Sequence, residues 1–399
     1  MTLDEHLEGA PIAGTGPLDE CGITATLVSE EGHGRAEGTG FRRLPAVRAA
    51  VAPGLDRKPL PSGSAMRVEE LAYDLPAELV AQTPVEPRDA ARLLVVPRDG
   101  PFGHRRFAEI VDLIEPSDVV VVNDTRVRPA RIFGRRPSGG RVELLVLSPE
   151  ADGTWMALAR PARKLPAGAR IDLGDGAGAV VRENLGEGRV RLDVDAPGGL
   201  EALLERRGEM PLPPYIHEHL HHPDRYQTVY ARSTGSAAAP TAGLHFTSEL
   251  LAAVAAKATL VRVELQVGLD TFRPVVVDDL AAHPMHSERY SVAEESRALL
   301  DSAAAEGRRI VAVGTTTVRV LETIADPARP ATGQTALLIE PGHRFRRAGA
   351  IVTNFHLPRS TLLALVMAFG GTDRVRAAYA EAIDRRYRFY SFGDAMMLT

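Results

Sequence analysis

Three stretches of the chain close an unbroken apolar run with a short polar cluster. VVVVNDTRV (Val119 to Val127) is four valines followed by Asn-Asp-Thr-Arg. RIVAVGTTTVRVLETI (Arg309 to Ile324) passes from an apolar strand through Gly-Thr-Thr-Thr into a helix with Val318, Leu321 and Ile324 on one face. AIVTNFHLPRSTLLALVMAFGG (Ala350 to Gly371) repeats this with Thr-Asn-Phe-His; Ser360 or Thr361 can cap its helix and Gly370 can end it. β-Branched runs without polar alternation predict strands buried on both faces, and the helices after them predict a mainly parallel α/β sheet. Ligands of open α/β sheets bind beyond the carboxyl ends of such strands. Asn123, Asp124, Thr315, Thr316, Asn354 and His356 are therefore expected around one crevice.

The pattern changes from Arg131 to about Asp195. Short alternating segments (RVELLVL, WMALARP, ARIDL, AVVREN, RVRLDVD) are separated by turns such as PSGG, EADG, LPAG and LGEG. Strands at about ten-residue spacing with such turns predict a small antiparallel barrel or sandwich. The expected organisation is an α/β catalytic domain made of residues 66–130 and 211–399, with a β-barrel-like domain inserted at 131–210. Residues 1–65 hold ten glycines and six prolines and keep no helical or strand period. They are expected to be a disordered extension. The folded texture starts at Met66, which is a candidate translation start.

Composition narrows the function. Charged residues make up 25% of the 399 and the hydrophobic set 44%, as in globular proteins. The longest apolar run, Leu362 to Gly371, is about half a membrane span, so a buried helix is expected. The start MTLDEHLEGA lacks the basic-then-apolar order of a signal peptide. A net charge of −5 removes the globally basic signature of nucleic-acid binding, but recognition of RNA by shape and pocket needs little excess charge. The single cysteine, Cys21, excludes intrachain disulfides, thiolate zinc sites and cysteine-ligated iron–sulfur clusters. A cytoplasmic monomer without a bound metal is expected.

Several local signals point to chemistry. DLGDGAG (Asp172 to Gly178) matches a methyltransferase nucleotide loop, but no helix follows it, so a glycine-rich β-turn is expected. HEHLHHPD (His217 to Asp224) reads as a solvated loop rather than a zinc site. In APTAGLHFT (Ala239 to Thr247), Thr241 and His245 lead toward a helix starting near Ser248, whose free N–H groups favour an anion. An imidazole titrating near neutrality suits proton transfer there. PMHSERY places His286 and Glu288 on one face if extended.

Taken in order, YDLPAELVAQTPVEPRDAARLLVV, VVNDTRVRPARIFG, DRYQTVYA, APTAGLHFT, MHSERY, AVGTTTVRVLE, TNFHLPRSTLLALVMAFGG and YRFYSFGDAM resemble the S-adenosylmethionine:tRNA ribosyltransferase-isomerase family of queuosine biosynthesis. The resemblance covers about residues 66–399. It implies an α/β domain carrying an inserted β-barrel-like domain, and no permanently bound cofactor. It also implies transfer of the ribosyl portion of the cosubstrate S-adenosylmethionine to 7-aminomethyl-7-deazaguanine at the wobble position of tRNA. The implied product is epoxyqueuosine-tRNA, with adenine and methionine released. The implied route starts with loss of a proton beside the sulfonium, at the 5′ carbon. His245, Asp124 and Glu288 are then candidate proton-transfer groups. Asn123, Thr316 and Asn354 are candidates for holding ribose hydroxyls or adenine, and Thr241, Thr315, His286 and His356 for other substrate contacts. Arg126 and Arg319 are charge partners for the methionine carboxylate or an RNA phosphate.

One phrase departs from the family: VGLDTFRPV has Asp270 where a glycine is usual, which leaves room for an altered acceptor. A methyltransferase is the rival enzyme and an RNA-binding module the rival non-enzyme. DLGDGAG and the arginines of RRYRFY are their respective evidence.

Overall fold

The computed structural model describes residues 66–268, 275–285 and 287–399, so the expectations for residues 1–65, for Asp270 and for His286 lie outside the described residues. In chain order the strands are β1 (Arg92–Val96), β2 (Gly103–Arg106), β3 (Val119–Asn123), β4 (Thr125–Val127), β5 (Arg131–Arg135) and β6 (Arg141–Pro149). Then come β7 (Trp155–Arg160), β8 (Arg170–Gly174), β9 (Ala177–Gly186), β10 (Arg189–Asp195), β11 (Ser233–Ser236) and β12 (Thr259–Leu265). Last are β13 (Glu288–Ser291), β14 (Ile310–Val313), β15 (Thr332–Thr335), β16 (Ala348–Asn354) and β17 (Ala395–Leu398). The α-helices are α1 (Ile110–Leu113), α2 (Gly199–Arg207), α3 (Ser248–Lys257), α4 (Glu294–Ala305), α5 (Thr315–Ile324), α6 (Thr361–Gly370) and α7 (Thr372–Asp384).

The valine run explains the main sheet. Side chains alternate faces along a strand, so a strand covered on both sides needs apolar residues at every position. In β3, Val119 and Val121 enter one core and Val120 and Val122 the other. Ile310 and Ala312 of β14 join the first core, and Val311 and Val313 the second. The nine-stranded sheet has the order β15-β13-β12-β3-β14-β16-β17-β1-β2. Its centre, β12-β3-β14-β16, is parallel.

The sheet is mixed rather than mainly parallel. The pairs β15–β13, β13–β12, β16–β17 and β1–β2 are all antiparallel, and only β1–β17 on the flanks is parallel. Apolar runs report that both faces are covered; they do not report chain direction.

α5 is buried along its whole length, including the predicted Val318, Leu321 and Ile324. The Ser360 side chain caps α6 by accepting from the Leu363 N–H at 3.2 Å, and the helix ends at Gly370 before Gly371, whose φ is 79°. β10-β7-β6-β5-β8-β9 close into an antiparallel barrel with its own core, to which α2 adds Leu200, Leu203 and Leu204. DLGDGAG is the β8–β9 hairpin of that barrel. Asp175 and Gly176 form its tip with φ of 56° and 75°, the positive pair that a tight two-residue hairpin turn needs. The Gly174 N–H bonds back to Asp172 Oδ1 at 2.8 Å.

Candidate active site

The central parallel strands end at one edge, and a cleft lies there. β14 runs into Gly314, whose φ of 95° favours glycine, and whose N–H is tied to the Val352 carbonyl at 2.7 Å. The chain then turns straight into α5, so Thr315 and Thr316 bring the helix's amino end to the cleft. β16 contributes Thr353 and Asn354, followed by Phe355 and His356. The opposite wall is the turn Ala239–Ala242 with Tyr215, Tyr390 and Ser391. Including its open mouth the space is about 540 Å³. No carboxylate, lysine or arginine among the described residues lines it.

Of the expected residues, Thr241, Thr315, Thr316, Asn354 and His356 meet in this cleft. His356 is buried, and burial pushes its imidazole down to about 3, so it is neutral. Its Nε2 lies 2.8 Å from Thr353 Oγ1, and its main-chain N–H donates to the Tyr379 hydroxyl at 2.9 Å.

His245 stands one hydrogen bond behind the cleft. It ends a 3₁₀ turn, Thr241–His245, and Thr247 then caps α3 by accepting from the Leu250 N–H at 3.1 Å. The approach to a helix start is thus as expected, but the imidazole lines a smaller opening with Arg88, Arg225 and Ser391. Those two guanidinium groups donate mainly to main-chain carbonyls, of Asp224, Gln227 and Leu244 for Arg88 and of Val85 for Arg225. The His245 ring packs on Phe107, centroids 4.9 Å apart. Burial lowers its pKa to about 4; Asp394 opposes the shift, while Arg88 and Arg388 add to it. Its Nε2 sits 3.1 Å from Asn354 Nδ2.

The remaining expected residues are elsewhere or occupied. Asn123 is wholly buried, and its amide is fully used inside the protein. Nδ2 donates to the Leu265 carbonyl (3.0 Å) and Thr316 Oγ1 (3.3 Å), and Oδ1 accepts from the N–H groups of Leu265 (3.0 Å) and Thr125 (3.2 Å). It clamps β3 to β12. Glu288 and Arg319 are both buried and bonded to each other. Glu288 also accepts from the Gly268 N–H at 2.7 Å, and Arg319 Nε donates to the Leu337 carbonyl at 3.1 Å. Asp124 is buried among Arg262, Glu264 and Arg232 and lines neither opening. Burial raises its carboxyl pKa, with Arg262 opposing. Arg126 is exposed on β4.

Tyr215, Tyr390 and Ser391 were not anticipated as cleft residues. Tyr215 and Tyr390 pack with ring centroids 4.7 Å apart, and the Tyr215 hydroxyl lies 2.7 Å from Ser391 Oγ. The phrase FYSFGD carried a signal in its glycine-containing turn, but Tyr390 itself adopts a φ of 70°, which residue type does not announce.

A cleft at the carboxyl edge of parallel strands, floored by a helix start and walled by neutral polar and aromatic groups, is the place where open α/β proteins bind small molecules. Residues 68–398 match the family model described as "Queuosine biosynthesis protein". The chain is 53% identical over 341 residues to the S-adenosylmethionine:tRNA ribosyltransferase-isomerase of Symbiobacterium thermophilum, covering 84% of this chain and 100% of that one. It is also 53% identical over 338 residues to the enzyme of that name from Rubrobacter xylanophilus, covering 84% and 98%. A crystal structure of S-adenosylmethionine tRNA ribosyltransferase from Thermotoga maritima is similar at 38% identity and a TM-score of 0.48, covering 83% of this chain and 100% of that one. The chain belongs to the queuosine biosynthesis protein family.

Proposed function

We propose that the protein transfers and isomerises the ribosyl moiety of S-adenosylmethionine onto 7-aminomethyl-7-deazaguanine in the anticodon wobble position of tRNA. Epoxyqueuosine-tRNA is the product, and adenine and methionine are released. The observation that carries this reading is identity of about half the residues, over nearly the full length of relatives bearing that name. The cleft supports it physically. The free N–H groups at the start of α5 suit the methionine carboxylate. Thr315 and Thr316 offer hydroxyls to the ribose. Tyr215, Phe355 and Tyr390 supply flat apolar surface for the base and keep water from reactive intermediates. Loss of the 5′ proton needs an unprotonated base. His356 is the candidate that stands on the cleft wall, whereas Asp124 and Glu288 do not line the cleft.

In this reading residues 66–130 and 211–399 form the catalytic domain and 131–210 the inserted barrel domain. S-adenosylmethionine is a cosubstrate, no cofactor stays bound, and the enzyme acts as a cytoplasmic monomer. Among the described residues no helix is long and apolar enough to cross a membrane. The test is incubation with S-adenosylmethionine and tRNA bearing the deazaguanine precursor, followed by nucleoside mass analysis. Epoxyqueuosine with free adenine and methionine is expected. Formation of S-adenosylhomocysteine indicates methyl transfer instead and overturns the proposal.

A further inference from the structure

Asn354 carries one hydrogen-bonding group that the protein leaves unused. Its two amide hydrogens go to the Tyr390 carbonyl and to His245 Nε2, each at 3.1 Å. Its Oδ1 makes no hydrogen bond, although the residue is 2% exposed and lines the cleft. Asn123, at the end of the neighbouring strand, has every polar atom of its amide satisfied. A buried acceptor without a partner is uncommon and unfavourable, and calls for an explanation.

The amide orientation is dictated by its surroundings. A main-chain carbonyl only accepts, so the face of Asn354 toward Tyr390 must be the NH₂ group. The carbonyl itself is fixed, since it also accepts from the Gly393 N–H at 2.9 Å. The second amide hydrogen then points at His245, so His245 Nε2 is an acceptor and the ring proton sits on Nδ1. That tautomer suits a neutral, buried imidazole held against Phe107. With both hydrogens committed, Oδ1 is left as the free acceptor in the cleft.

We propose that His245 is a positioning residue that locks the Asn354 amide, and that Asn354 Oδ1 accepts a hydrogen bond from a neutral donor of the adenosyl group of S-adenosylmethionine. The donor is the adenine 6-amino group or a ribose hydroxyl, which share this chemistry. This rests on the ribosyltransferase reading, and it assigns His245 a role other than moving a proton.

The experiment is calorimetric binding to the full chain, with melting recorded on each preparation. Four ligands are compared: S-adenosylmethionine, its deaminated 6-oxo analogue, and its 2′-deoxy and 3′-deoxy analogues. One analogue is expected to bind the parent protein about tenfold more weakly, the size of one lost hydrogen bond. Loss with the 6-oxo analogue identifies the adenine amine; loss with a deoxy analogue identifies that hydroxyl. In Asn354→Ala the same analogue and S-adenosylmethionine should bind alike. His245→Phe should weaken S-adenosylmethionine binding about tenfold, and His245→Gln, whose side-chain carbonyl can accept the Asn354 N–H, should recover most of that loss. Equal binding of all four ligands by the parent protein overturns the proposal, and needs no variant to fold. So does a His245→Gln protein that binds S-adenosylmethionine normally but releases adenine no faster than His245→Phe, because that result makes His245 a proton-transfer group. If the parent protein binds S-adenosylmethionine but gives no epoxyqueuosine, the ribosyltransferase reading fails by itself. If it does not bind at all, both fail.

Discussion

Glu288→Gln separates a structural carboxylate from a catalytic one. The side chains of Glu288 and Arg319 are each only 8% exposed, and they form an ion pair between β13 and α5. Glutamine has nearly the same shape and its oxygen can still accept from the Gly268 N–H. Its NH₂ group then faces the Arg319 donor, so the substitution removes the charge and the hydrogen bond to Arg319. Arg319 then keeps its bonds to the Leu337 carbonyl at 3.1 Å and the Thr335 carbonyl at 3.4 Å, but no counter-charge. Breaking a buried pair on one side destabilises by about 3–5 kcal/mol, because the remaining charge is uncompensated. The two surviving acceptors place the expected loss at the lower end, about 3 kcal/mol. Urea unfolding should show it as a lower midpoint at unchanged slope.

Adding Arg319→Met removes the stranded charge. The double variant should therefore lose less than the two single losses summed, by about 2 kcal/mol. A Glu288→Gln protein within about 1 kcal/mol of the parent, well below the loss expected for a broken buried pair, would refute a structural role for the ion pair. A rate loss of roughly 10² or more at unchanged stability would instead return Glu288 to the list of bases.

Asn123→Ala should destabilise by roughly 2–4 kcal/mol in urea, since the buried N–H and C=O of Leu265 each lose a partner worth about 1–3 kcal/mol; normal stability would mean that the clamp between β3 and β12 is dispensable. Gly176→Ala should lose roughly 1–2 kcal/mol from its φ of 75° while S-adenosylmethionine affinity holds. Tenfold weaker binding by a folded Gly176→Ala protein would put the hairpin at the cosubstrate site. Acidification supplies a further test. His245 is neutral when folded down to about pH 4, whereas its unfolded pKa is 6.5, so between these values the unfolded chain binds more protons. Stability contributed by the neutral ring is present above pH 6.5 and is lost as pH falls toward 4, at up to about 1.4 kcal/mol per pH unit. His356 acts in the same direction, and Asp124, with its raised pKa, in the opposite one. Urea midpoints of the parent and of His245→Gln should therefore diverge less at pH 5 than at pH 7; a constant difference would mean that His245 titrates normally in the fold.

What was legible in the sequence was local. Four consecutive valines require two covered faces, and Val119–Val122 supply one core on each side of the sheet. The Asp-Gly tip of DLGDGAG announces a hairpin because its backbone angles depend on those residues alone. Direction was not legible. β17 enters beside β16 antiparallel and beside β1 parallel, and both pairings are made by one four-residue apolar strand whose composition is indifferent to either. The Trp155–Arg160 strand and its neighbours show alternation in sequence, but closure into a barrel requires β10 to find both β7 and β9.

The site divides along the same line. Thr315, Thr316, Asn354 and His356 were foreseeable because they follow strands that had to end at a common edge. Partnerships across the chain were not. Arg319 could read as a ligand for an anion until Glu288, thirty-one residues away, is seen to neutralise it. His245 has the composition and setting of a proton-transfer residue. The structure joins it to Asn354 across 109 positions, and that bond turns its accepting nitrogen toward an amide. A polar residue's type states what it can donate or accept; which of those capacities remains for a ligand depends on what the fold has already consumed. By that criterion Asn123 is fully consumed, Glu288 has given its charge to Arg319, and Asn354 Oδ1 is, among the described residues, a buried acceptor on the cleft wall that the fold leaves without a partner.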